Sequence, residues 1–99
     1  MAELTLLQLL QDMVQRKASD LHLTAGVSPE LRIDGAITPT EYEVLTPERC
    51  TGLAYSVLSD EQRKRFETTK ELDFSFGVKG LARFRANVYL QKGSVAMAL

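Results

Sequence analysis

Two arginines, Arg83 and Arg85, stand two residues apart in the segment Leu81-Ala82-Arg83-Phe84-Arg85-Ala86-Asn87-Val88-Tyr89-Leu90-Gln91. A spacing of two is the repeat of a β-strand, so both side chains leave one face, roughly 7 Å apart at a rise of ~3.4 Å per residue. Asn87, Tyr89 and Gln91 share that face, while Phe84, Ala86, Val88 and Leu90 take the other. Each guanidinium is a planar fork of N–H donors that matches carboxylate or phosphate oxygens. Two positive charges this close repel unless a negative group lies beside them. The residues alone leave two readings open. Either an outside anion, with phosphate the best geometric fit, bridges the pair, or Asp73 or Glu71 on a neighbouring strand neutralises it.

The other reactive residues offer less. Asp20 and His22 share a strand face and could form a charge-assisted pair, although a lone His on a strand serves more often as a structural hydrogen-bonder. Cys50 falls at an apolar helix position and reads as a core thiol. A P-loop needs G-x-x-x-x-G-K-[ST], and no Gly-Lys pair occurs in the chain. One His and one Cys are too few for a zinc site without several carboxylates. No Ser/His/Asp or Cys/His set can be assembled. No catalytic residue and no metal ligand is therefore assigned.

Charge narrows the partners. Lys and Arg number 12 against 13 Asp and Glu, a net charge of −1, so there is no general basic field for nucleic acid or anionic lipid. The stretch 79–84 touches the RNP1 pattern of RNA-binding domains, but Leu81 and Arg83 stand where base-stacking aromatics are needed. No nucleic acid partner is expected. A single cysteine allows no internal disulfide and suits a reduced cytoplasm. The opening MAELTLLQLLQDM has no basic stretch ahead of its leucines and carries Glu3, Gln8, Gln11 and Asp12. It is expected to be neither a signal peptide nor a membrane-embedded span.

The elements that must aim the arginines follow from pattern and punctuation. Thr5 and Gln8 form a capping box opening a helix, with Arg16 and Lys17 expected in its last turn. Leu4, Leu7, Leu10 and Val14 share one side, and Leu6, Leu9 and Met13 widen it past half the circumference. A stripe that wide means the helix is either set deep in the core or touches something beyond its own domain. Residues 20–24 and 30–33 alternate as strands, and Asp34-Gly35 suits a two-residue type I′ hairpin before a return strand over 36–38. Thr46-Pro47 opens a second helix carrying Cys50, Leu53, Ala54, Val57 and Leu58. Ser59 and Gln62 make another capping box for a short helix through Phe66. Leu72, Phe74 and Phe76 line one face of the next strand, residues 77–80 turn, and a long strand runs over 81–90. Residues 91–93 turn the chain into a last strand over 94–99. The sum is a single α+β domain over 1–99, an antiparallel sheet of five to six strands with helices on one face.

Four stretches carry a resemblance: Ala-Ser-Asp-Leu-His-Leu-Thr-Ala-Gly at 18–26, Leu-Arg-Ile-Asp-Gly at 31–35, Glu-Leu-Asp-Phe-Ser-Phe at 71–76 and Ala-Arg-Phe-Arg-Ala-Asn at 82–87. In this order, and across essentially the whole chain, they resemble the amino-terminal domain of the PilT-type ATPases that retract type IV pili. The resemblance implies a PAS-like fold. It also implies a bacterial, cytoplasmic protein in hexameric rings at the inner-membrane platform of the pilus, driving twitching motility. In that family this domain packs on the RecA-like ATPase domain of its own and neighbouring subunits. ATP and Mg are held mainly by that RecA-like domain, and arginines from this region reach the phosphates. By motif match these are Arg83 and Arg85. The RecA-like domain is absent from the 99 residues, so the resemblance implies an excised domain with no ATP hydrolysis of its own. Two phosphate contacts without base or ribose contacts would also leave any ATP affinity weak. The single helix ahead of the Ser-Asp-x-His stretch favours the retraction type over assembly and secretion ATPases, with the related PilU as the alternative. A different class of reading is a free-standing PAS-like sensor of a small ligand. It needs an interior cavity where Leu31, Ile33, Leu72, Phe74, Phe76, Phe84 and Val88 would otherwise pack.

Overall fold

A computed structural model describes residues 4–99. Helix α1 (Leu6–Gln15) starts at the expected capping box: the Gln8 amide donates to Thr5 Oγ1, and the Thr5 amide donates to the Gln8 side-chain carbonyl. Its buried side is Leu6, Leu9, Leu10 and Met13, while Leu7 and Val14 are 47% and 41% exposed. This corrects the helical side read from the sequence. Leu6, Leu9 and Met13 are the core residues rather than a surplus reaching outside, and the deep-set reading holds for them. Arg16 and Lys17 do not occupy the last turn either. Arg16 caps the helix, and Lys17 takes the left-handed backbone at φ 56° that ends it.

Strands β1 (Asp20–Leu23), β2 (Glu30–Ile33) and β3 (Ala36–Pro39) form an antiparallel meander. Asp34 and Gly35 both have positive φ, 51° and 81°, as a type I′ turn requires. Helix α2 (Pro47–Tyr55) is capped by Thr46 with Pro47 in its first turn, and α3 (Asp60–Thr69) by Ser59 and Gln62. Helix α3 runs past Phe66 to Thr69, because Lys70 at φ 66° supplies the stop. Strands β4 (Glu71–Val78), β5 (Ala82–Gln91) and β6 (Ser94–Ala98) form the second meander.

The six strands make one antiparallel sheet in the order β3-β2-β1-β6-β5-β4. Strand β6 joins the two meanders: Leu21 and Leu99 exchange backbone hydrogen bonds of 3.0 and 2.9 Å. This explains the apolar alternation at 94–99. Met97 and Leu99 enter the core, while Ser94, Ala96 and Ala98 line the opposite face. One cluster holds the buried residues of α1, Cys50, Leu53 and Ala54 of α2, Phe66 of α3 and the inward residues of the strands. All three helices therefore cover one face, the α+β layering expected from the sequence. Burying each large apolar side chain contributes roughly 1.5–3 kcal/mol, and β5 is pinned this way by Phe84 and Val88, at 7% and 0% exposure.

Among the described residues the other face carries no helix. One row of cross-strand neighbours, Pro39, Glu30, His22, Ala98, Asn87 and Asp73, crosses all six strands. This polar, helix-free face presents the two arginines.

Candidate anion-binding face

Arg83 and Arg85 both leave β5 on the helix-free face and both are exposed. Phe84 between them points into the core. The register against β4 sets Gly77 opposite Arg83, Ser75 opposite Arg85 and Asp73 opposite Asn87. Gly77, expected in a turn, is instead a strand residue. The turn is shorter because β4 runs to Val78 and Gly80, at φ 79°, reverses the chain.

The structure treats the arginines differently. Arg85 donates from Nε to Asp73 Oδ1 at 3.3 Å and from Nη2 to Asp73 Oδ2 at 2.7 Å, a two-pronged pair lying diagonally across the ladder. Both partners face solvent, with side chains 82% and 48% exposed. The hydrogen bond from Arg85 holds the Asp73 carboxyl below the usual carboxylate range, and the same bond raises the Arg85 guanidinium. Glu71 accepts instead from Asn87 Nδ2 at 3.5 Å. Among the described residues Arg83 forms no ion pair. The neutralising reading therefore applies to Arg85 through Asp73 and leaves Arg83 uncommitted. Arg85 keeps Nη1 for an outside oxygen, and Arg83 keeps its whole fork. Such a face suits a polyanion with several oxygens, such as a phosphate chain.

Asp20 does not pair with His22. It meets Arg32, whose Nε lies 3.4 Å from Asp20 Oδ2, and accepts a 2.8 Å bond from Ser19 Oγ. The reason is geometric: Arg32 lies directly across the ladder, at a Cβ separation of ~4.5–5.5 Å, whereas His22 is about 7 Å along the strand. Cys50 is buried as expected, and burial pushes its thiol pKa up, away from a reactive thiolate. Among the described residues no three His, Cys, Asp or Glu side chains converge as a metal site. A groove of 1010 Å³ lies elsewhere, between α1, α2 and the end of β4, lined by Leu7, Leu53, Val57, Phe76 and Val78 with Arg49 and Lys79. It is bounded by the half-exposed Leu7, and of the seven residues named for a PAS-type cavity it reaches Phe76.

The sequence reading missed Gly77 as a neighbour of the site. Counting the register back from a three-residue Lys79-Gly80-Leu81 turn, with Val78 opposite Ala82, would have placed it opposite Arg83.

No family model matches the chain. The type IV pilus retraction ATPase PilT of Pseudomonas aeruginosa is 43% identical over 84 residues, which is 85% of this chain and 24% of that protein. The crystal structure of the pilus retraction motor PilT with bound ADP superposes at a TM-score of 0.90 with 49% identity, covering 97% of this chain and 28% of that one. The chain is homologous to the amino-terminal region of PilT. The pilus ATPase PilU of the same organism is 34% identical over 92 residues, 93% of this chain and 24% of that protein. The ATPase DotB of Legionella pneumophila has the same fold, with a TM-score of 0.79 at 16% identity. The chain thus matches the amino-terminal region of the pilus ATPases PilT and PilU, and it spans about a quarter of the length of the curated relatives it matches. Among the described residues no helix is long and apolar enough to cross a membrane.

Proposed function

We propose that this chain acts as the amino-terminal domain of a type IV pilus retraction motor. In that reading it packs on RecA-like ATPase domains, its own and a neighbour's, in a cytoplasmic hexameric ring at the inner-membrane pilus platform. Arg83 and Arg85 contact the phosphates of ATP held by the RecA-like domain. The observation that carries this is the pair of exposed guanidiniums on the helix-free face, rigidly backed by Phe84 and Val88. The homology to PilT, a retraction ATPase in one relative and an ADP-bound motor in a solved structure, supplies the ligand class. The donors on this face fit phosphate oxygens. They do not fit Mg, which needs carboxylate or water oxygens and would sit on the RecA-like side with the nucleotide. When bound, ATP supplies the hydrolysable phosphate; this chain's residues orient it and offset its charge. PilU, 34% identical over 93% of the chain, gives the second reading, an accessory ATPase of the same machine.

The test is ATP turnover by the full-length protein. Replacing both Arg83 and Arg85 by Ala should lower turnover by at least about a hundredfold, the small end of what removing one charge-stabilising donor does. The melting temperature of the 99-residue chain should fall by no more than the few degrees that an exposed ion pair of about 0–1 kcal/mol contributes. Unchanged turnover in the double variant refutes the phosphate role.

A further inference from the structure

Asp73 reaches Arg85 along the diagonal of the β4–β5 ladder. The position that stands to Arg83 as Asp73 stands to Arg85 is Ser75, which carries no charge. The residue directly opposite Arg83 is Gly77, which carries no side chain. The arginine uses that space: a Cβ added at Gly77 would lie 3.3 Å from Arg83 Nη1 and 3.5 Å from its Cγ. The Gly77 backbone is outside the positive-φ region that favours glycine, so the room beside it is what this glycine provides.

We propose that Gly77 and Asp73 are positioning residues that make the two arginines unequal. Gly77 seats Arg83 as the uncommitted guanidinium that takes a phosphate oxygen first, and Asp73 holds Arg85 ordered on the same face as the second contact. This rests on the phosphate reading of the face. Among the described residues no carboxylate is paired with Arg83 to compete with an incoming anion. At Arg85 it must share the fork with Asp73 and approach that residue's negative charge. Asp73 gives something in return, since a side chain already fixed loses less rotamer freedom on binding.

The experiment is NMR of the 99-residue chain with ¹⁵N-labelled arginine, following the Nε–Hε signals during titration with inorganic tripolyphosphate. Before addition, Arg85 Hε should exchange with water more slowly than Arg83 Hε. Arg83 should then respond at a several-fold lower tripolyphosphate concentration than Arg85. Asp73→Asn should bring the Arg85 response to at least that of Arg83. Gly77→Val, tolerated by strand backbone, should weaken the Arg83 response several-fold and leave the Arg85 signal in place, whereas a merely structural change would move both. Equal responses in the parent chain overturn the proposal. So does an Arg85 signal indifferent to Asp73→Asn, or no response from either arginine up to about 10 mM, beyond the weak end of specific binding. Turnover in the full-length protein fails separately: if the double arginine variant hydrolyses ATP normally while the two signals stay unequal, the motor role falls and the inequality stands.

Discussion

Phe84 lies between the two arginines in sequence and on the opposite face of β5 in space, so replacing it separates scaffold from site. Its ring is 7% exposed and sits 5.7 Å, centroid to centroid, from Phe76, which in turn lies 5.8 Å from Phe74. Phe84→Ala deletes the ring, its aromatic contact and the volume it fills. Such changes cost about 3–5 kcal/mol in a closed core. Phe74, Phe76 and Leu81 are only partly buried, so this end of the core can relax into the space and the cost should fall at the low end, ~3 kcal/mol. Total stability of a domain is about 5–15 kcal/mol. At ~4–8 °C per kcal/mol for a domain of this size, the melting temperature should drop by roughly 12–24 °C. Reversible urea unfolding and a thermal melt, both followed by circular dichroism, read the change. Arg83→Ala in the same assays should leave the midpoint where it is. A Phe84→Ala cost below about 1 kcal/mol, the size of an ordinary point substitution, would show that β5 is not pinned as described. An Arg83→Ala cost equal to that of Phe84→Ala would show the arginine face to be structural.

Gly93 turns β5 into β6 at φ 81° with nothing within 4 Å of an added Cβ; Gly93→Ala should therefore cost only the backbone strain, about 1–2 kcal/mol, and a unchanged urea midpoint would refute the turn geometry. Because Asp73 is held below the usual carboxylate range, its contribution to stability is fully present above the unfolded-state value near ~3.9 and is lost as pH falls through the lower folded value. Carbon-13 NMR of the Asp73 carboxyl should show its titration moving back up in Arg85→Ala, and an identical titration in both chains would mean the pair does not form in solution.

Local signals in the chain determined most of the elements. Capping boxes at Thr5 and Ser59, Pro47 behind Thr46, and the Asp34-Gly35 and Lys92-Gly93 turns act through hydrogen bonds and φ values spanning a few residues, so their chemistry is written where they act. The alternation that sets both arginines on one face of β5 is equally local. Tertiary structure decided what no short window contains. It chose which side of an almost uniformly leucine-rich helix faces inward, since Leu6, Leu9, Leu10 and Met13 win only by meeting the sheet. It also decided the cross-strand register. The register gave Asp20 to Arg32 rather than His22, gave Asp73 to Arg85, and left Arg83 lying over Gly77. Charge pairing across a ladder depends on which residues come within ~5 Å after folding, and a one-residue slip of register would have changed every partner.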